Sequence, residues 1–443
     1  MSQPAVPAPE MSVSQTGRML VLAIGMGIGG ALVASLFLAI MTVLQDAVWK
    51  QLPQQLGLIS PPLWYVAGFA VLAAALVAIA QRLPGHTGGS PITGLHFNVG
   101  PREIASVALA AMASLVFAMP LGPEAPLIAC GTALGGLIAA RQPTEARQLA
   151  MVLGGAAAIG AILGNPFISA FMFLEFAALG VLPAAALVPI LVSLGTGFLV
   201  MSGLGPYTGL GTHELSVSGL TAVDRLPEWS LVLGLGVAIL AAVLTLVARA
   251  VGWRVYALAQ RSPVLTVFVG GLVIAVVGWG ASTWANMSLE TVLFDGETGL
   301  SDLISSQSAA AIAIVTIGRL IVYGIALGAG FRGGPIFPSL ALGVGIGAAV
   351  SLFVDPALET PMIVAGIAAT VAASLKLPFT AGLLALLVTS AAGAVTAPVA
   401  ILGGVVGFLI RMAHDKKWPP PEPHATPQVS ETSGATPGTA PST

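Results

Sequence analysis

The chain has 443 residues, 56% of them hydrophobic and only 8% charged, with a mean hydropathy of +0.96. Soluble domains carry about 25% charged residues, so this composition excludes a soluble globular protein and marks one embedded in lipid. A net charge of −2 leaves no basic surface for nucleic acid, and the single cysteine, Cys130, excludes an internal disulfide.

In chain order, residues 1–16 form a polar, proline-containing arm expected to be disordered. They lack the short apolar core and small-residue cleavage site of a signal peptide, so Met19–Leu44 reads as the first span. Pro62–Ala80, Ile104–Leu121, Leu231–Val247 and Val264–Gly280 are further apolar runs of spanning length. The predicted layout is a first half at 17–203, an extramembrane linker at 204–228, a second half at 229–412 and a disordered Pro/Ser/Thr-rich tail at 413–443. Arg18 and the basic tail around Lys416-Lys417 put both termini in the cytoplasm of a multi-pass protein of the cell (plasma or inner) membrane.

The halves are copies. Gly122-Pro123-Glu124-Ala125-Pro126 matches Gly334-Pro335-Ile336-Phe337-Pro338 at an offset of 212 residues. The same offset carries Gly131, Gly135 and Gly154 onto Gly343, Gly347 and Gly366, and Pro166-Phe167 onto Pro378-Phe379. A duplicated half in a membrane protein points to a transporter or channel with its site at the repeat interface. Phe167–Phe176 and Phe379–Leu387 are too short to cross a bilayer, since ten helical residues cover about 15 Å. Broken helices are tolerated at membrane depth only where protein or an aqueous site covers them.

The repeated motif supplies the chemistry. A helix start presents unpaired N–H groups and partial positive charge, which suits an anion. Gly122, Pro123 and Pro126, with Gly334, Pro335 and Pro338, are the scaffold of two such starts. The residues between the prolines, Glu124 and Ala125 in one copy and Ile336 and Phe337 in the other, bring free amides. Glu124 is a carboxylate among apolar neighbours, where it is costly without a partner. At a helix start it can occupy the anion site as a tethered competitor, and protonating it would free the site. No spacing of His, Cys, Asp or Glu suits a metal, and no cofactor is expected.

These segments resemble the CLC family of chloride channels and proton/chloride antiporters. Leu121–Pro126 stands where the family has G-[KR]-E-G-P, Gly334–Pro338 where it has G-x-F-x-P, and Gly88-Gly89-Ser90-Pro91 resembles G-S-G-I-P. Asn165-Pro166-Phe167 with Phe173-Leu174-Glu175 is similar to N-x-P-L-x-G…F-x-x-E, and Leu377-Pro378-Phe379-Thr380 to its counterpart in the second half. The resemblance covers about residues 18–412. It implies an all-α integral membrane protein, a CLC-like inverted-repeat bundle of tilted and broken helices, assembled as a homodimer with one pore per subunit. It also implies a gate at Glu124, chloride or another small anion as cargo with protons as a second one, and anion contacts from Gly88, Gly89, Ser90, Ala125, Ile336 and Phe337.

The sequence also departs from the family pattern. Aligning on Pro91 leaves Gly88 in the place of the family's serine, Pro335 has no N–H to give, and no helix follows Arg411 to carry the pore tyrosine. Antiporters of the family often carry an inner glutamate directly after the position of Glu175, and here that residue is Phe176. Glu175 is read as either a structural acid or part of a proton path. The expected function is passive or weakly coupled anion transport, with proton-coupled antiport as the alternative and a cation-coupled carrier of an anionic solute more remote. No protease motif lies in a span, so an enzyme is not expected.

Overall fold

The computed structural model describes residues 13–85, 87–208 and 216–421, so most of the N-terminal arm, the linker at 209–215 and the tail beyond 421 lie outside the described residues. The first half holds α1 (Val13–Asp46), α2 (Leu63–Ala80), α3 (Ile104–Val116), α4 (Glu124–Ile138), α5 (Thr144–Ile162), α6 (Pro166–Ala178) and α7 (Leu187–Thr208). The second repeats the order with α8 (Glu228–Arg261), α9 (Pro263–Ala285), α10 (Ala309–Gly328), α11 (Ile336–Val354), α12 (Glu359–Leu375), α13 (Pro378–Val388) and α14 (Ala397–Lys417). Two further short helices, Leu52–Gln55 and Leu300–Ser305, lie outside this pairing.

The pairing is close: α1 and α8 are each 34 residues long, and α6 and α13 are the half-helices expected from the sequence. Among the described residues, nine helices are long and apolar enough to cross a membrane. A 34-residue helix measures about 51 Å, more than a 30 Å hydrocarbon core, so α1 and α8 fit only if tilted or projecting. Leu36 and Val43 of α1 and Val232 of α8 expose apolar surface on the outside of the bundle, where lipid replaces a protein partner. The spans containing α11 and α12 are 83% and 89% buried, which puts them at the centre. Helices apolar on every side belong there.

Small residues set the central packing. Gly131 of α4 faces Gly154 of α5 so closely that a Cβ on either would strike the other's backbone, and Gly343 and Gly366 do the same between α11 and α12. Contact at that range lets helices pack where lipid supplies no hydrophobic drive.

Four sequence boundaries need correction. The helix α1 starts at Val13, inside the predicted arm, and α7 runs on to Thr208, inside the predicted linker. The last helix passes residue 412 and ends at Lys417, because Asp415 is tied to Arg411 at 2.8 Å and to Lys376 at 2.5 Å. Ile104–Leu121 is not a span, since α3 stops at Val116 after 13 residues. Ala118 takes a left-handed φ of 63°, and Met119 N–H closes the turn on the Ser114 carbonyl. The chain then runs extended into the repeated motif.

Candidate functional site

The two copies of the motif touch. Gly122 N–H donates to the Gly334 carbonyl at 2.9 Å and Gly334 N–H to the Gly122 carbonyl at 2.5 Å, a reciprocal antiparallel bridge. The starts of α4 and α11 are thereby brought together from opposite halves. A Cβ on either glycine would land on the Glu124 carboxylate and push that side chain out of its place. Pro123 and Pro335 stand just before the two helices, and Pro126 and Pro338 lie in the first turns, where no intrahelical N–H is needed.

Glu124 is fully buried, and its Oε1 accepts a hydrogen bond from the Phe337 amide at 2.7 Å. Its Oε2 has no partner. The first residue of α4 therefore caps the facing helix α11, across the repeat boundary. Ile336, beside Phe337, is buried at the same helix start. Ala125 behaves differently: it is partly exposed while its neighbours on both sides are buried. It opens onto a cavity of about 30 Å³, whose wall also includes Thr87, Gly89, His96, Pro126 and Arg332.

Of the three predicted donors at 88–90, only Gly89 lines this cavity. Gly88 takes a left-handed φ of 72° and gives its N–H to the Gly85 carbonyl at 2.8 Å. The Ser90 hydroxyl donates to the Leu327 carbonyl at 3.2 Å. Both donors are thus used in fastening their own loop, which turns tightly through Gly88 and packs on α10. A tyrosine does reach the site, from α10 rather than from a last helix: buried Tyr323 donates its hydroxyl to the Pro335 carbonyl at 3.4 Å.

Arg332 stands two residues before Gly334 and is partly buried. Its Nε donates to the Thr87 carbonyl at 3.0 Å and hydroxyl at 2.9 Å, and Nη1 reaches the Phe331 carbonyl at 3.3 Å. Burial, and then the charge of Arg332, lower the pKa of the loop residue His96. The His96 Nε2 lies 2.8 Å from the Thr93 hydroxyl.

A larger cavity, about 260 Å³, adjoins this one and shares Gly94 with it. Arg249, Arg411 and Lys376 line it together with Phe176. The sequence displays Arg249 and Arg411 as members of basic clusters at helix ends. Only the fold shows both to be buried and facing one space. Arg411 also donates to the Ala373 carbonyl at 2.7 Å.

Glu175, from α6, caps α13. Its Oε1 accepts from Phe379 N–H at 2.9 Å, and its Oε2 from Thr380 N–H at 2.7 Å and from the Thr380 hydroxyl. Phe176 packs edge-on against Phe97 and Phe173. Arg319 binds the carbonyls of Glu290, Thr291, Leu293 and Asp295, fastening one loop.

Facing helix starts inside a duplicated bundle of broken helices define a membrane transport protein of the inverted-repeat type. The sequence pattern of the family described as "Voltage gated chloride channel" matches residues 90–411, and the chain belongs to that family. YfeO, a protein of Escherichia coli and of Escherichia fergusonii assigned by name to ion transport, is 26% identical over 336 residues, covering 73% of this chain and 77% of its own. Three solved structures share the fold. A slow cyanobacterial Cl⁻/H⁺ antiporter aligns with a TM-score of 0.70 at 21% identity, over 90% of this chain and 95% of its own. A CLC-type fluoride/proton antiporter aligns at 0.69 and 16%, over 91% and 98%. A eukaryotic CLC transporter aligns at 0.61 and 16%, over 91% and 73%.

Proposed function

We propose that the protein conducts small anions, chloride first among them, by a passive or weakly coupled route gated by Glu124. The observation that carries this reading is the Glu124 carboxylate itself, with one oxygen on the Phe337 amide and the other without a partner. A helix start that binds a carboxylate oxygen also suits a halide, so the side chain and a permeating anion compete for one place. When the carboxyl swings away or takes a proton, the amides of Ile336 and Phe337 become free for the ion. Ala125, on the other side of the bridge, contacts the space next in line. Gly122, Pro123, Pro126, Gly334, Pro335 and Pro338 are the scaffold that keeps both helix starts in register.

The weak coupling is argued from the second cavity. Its wall carries Phe176 where a proton relay would need an acid, and Glu175 beside it is held by three donors. Glu175 is therefore a structural cap in this reading. Proton-coupled exchange is the second reading. The unpartnered Oε2 of Glu124 favours it, since a buried carboxylate oxygen is a place for a proton. Two fold neighbours are described as antiporters for chloride or fluoride with protons. In either case the working unit is a homodimer in the cell membrane, with cytoplasmic termini and one route per subunit.

The test is reconstitution in liposomes under a chloride gradient, with efflux and internal pH recorded together for wild type and Glu124→Ala. The proposal expects efflux without proton movement in wild type and altered efflux in the variant. Uphill proton movement lost in the variant would instead establish the coupled reading. Absence of flux with chloride, fluoride, nitrate and bicarbonate would overturn both.

A further inference from the structure

At the turn between α8 and α9 the apolar outside of the bundle is hollow and carries a charge. A cavity of about 380 Å³ opens between these helices, and Ile325 of α10 completes its wall. Leu265, Val269 and Val273 of α9 line it. Spaced four residues apart, they form one stripe that extends about 12 Å along the helix. Gly270 keeps the floor low. It also brings α9 against α10, since a Cβ there would lie 2.7 Å from that of Ala329.

The stripe starts where α8 ends. Arg261 stands in the last turn of α8, Ser262 heads α9, and both line the cavity. Among the described residues Arg261 has no ion pair, and the Ser262 side chain makes no cap bond. No acid lines the cavity. The mouth is therefore positive and rich in donors, while the interior is apolar.

A cation followed by an apolar channel is the order of groups that suits a phospholipid with an acidic headgroup. A soluble anion would leave the apolar stripe unused, and a neutral hydrocarbon would leave Arg261 unused. A zwitterionic headgroup brings an ammonium for which the lining has no acid. The helix α8 begins at Glu228 and has Arg254 and Arg261 near its other end. Basic residues gather at the cytoplasmic face, where acidic lipids are concentrated and where pockets between helices take their headgroups.

We propose that the α8–α9 groove binds one acidic phospholipid, its phosphate on Arg261 and Ser262 and an acyl chain along Leu265, Val269 and Val273. The groove shares no lining residue with either cavity beside the facing helix starts, so this lipid is a resident of the protein and not its cargo. The inference holds whichever ion the protein moves.

The test is lipid retention by the purified protein in detergent, counted by native mass spectrometry after titration with phosphatidylglycerol or phosphatidylcholine. Wild type should keep one phosphatidylglycerol per chain, with a preference over phosphatidylcholine of roughly fivefold or more. Arg261→Gln should remove that preference and Arg261→Lys should restore most of it. Arg254→Gln, on the same helix but outside the groove, should leave it unchanged. Val269→Trp should expel the lipid by filling the groove while Arg261 stays in place. Equal retention of both lipids by wild type, equal effects of the two Gln variants, or unchanged retention by Val269→Trp would each overturn the site. Displacement of the lipid by inorganic phosphate would assign the mouth to a free anion and overturn it as well. Should Val269→Trp fail to fold, the wild-type preference and the Arg254 and Arg261 variants decide.

Discussion

Two carboxylates of the first half reach across the repeat boundary and cap helices of the second. Glu124 caps α11 and Glu175 caps α13, and in both cases the second helical residue donates, Phe337 N–H to one and Phe379 N–H to the other. The third position separates them. At α13 it is Thr380, whose N–H and hydroxyl both fill Oε2 of Glu175. At α11 it is Pro338, which has no N–H, and Oε2 of Glu124 is left without a partner. One residue thus distinguishes a fastener from a carboxylate with an oxygen to spare for a proton or an exchange with a free ion.

The largest break in this comparison comes from removing each acid in turn. Glu175→Ala leaves two backbone donors and a hydroxyl without their acceptor. It should lower stability by about 3 kcal/mol, read as a drop in melting temperature in detergent, with the anion preference unchanged. Glu124→Ala should do the converse. Its melting temperature in chloride should stay near wild type, because a free anion takes over the Phe337 amide, and liposome flux should change by about tenfold with its pH dependence gone.

Pro338→Thr sharpens the comparison by making α11 resemble α13. The added amide and hydroxyl should hold Glu124 in place by about 1.5 kcal/mol, reducing flux roughly tenfold while raising the melting temperature slightly. A variant that conducts as wild type does would mean that donor number is not what separates the two caps.

The smallest effect concerns Glu297, in the loop fastened by Arg319. Burial, and then the neighbouring Asp295, push its carboxyl up to about 8. The unfolded chain releases this proton near the ordinary value of 4.5, whereas the folded chain keeps it until about 8. Folding therefore weakens as pH rises across that window. The hydrogen-exchange protection of residues 290–299, with the intrinsic pH dependence of amide exchange divided out, should fall between about pH 5 and 8, and Glu297→Gln should flatten that fall.

The repeated motif, the two half-helices and the resemblance at Glu124 were legible in the sequence because proline and glycine carry backbone instructions at fixed offsets. The helix ends were less so. Ile104–Leu121 is apolar throughout, and nothing local says that Ala118 turns left-handed to bring the chain to Gly334. The resemblance at Gly88–Pro91 implied an anion contact from Ser90, but its hydroxyl goes to Leu327, 237 residues away. Thr87, His96 and Tyr323 gave no signal of their own, since each joins the site through a packing partner from a distant helix or loop.

By itself the sequence determined a membrane protein of two similar halves, with glycine and proline at two helix starts and a carboxylate at one of them. Those features follow from local physics: apolar length, missing N–H groups and the space a Cβ occupies. Which oxygen of Glu124 is met, where Arg332 lies and which arginines share a cavity were decided only when the halves closed on each other. Hydrogen bonds and charge pairs act over a few ångströms, and here Phe337 lies 213 residues from Glu124 in the chain and Thr87 lies 245 from Arg332.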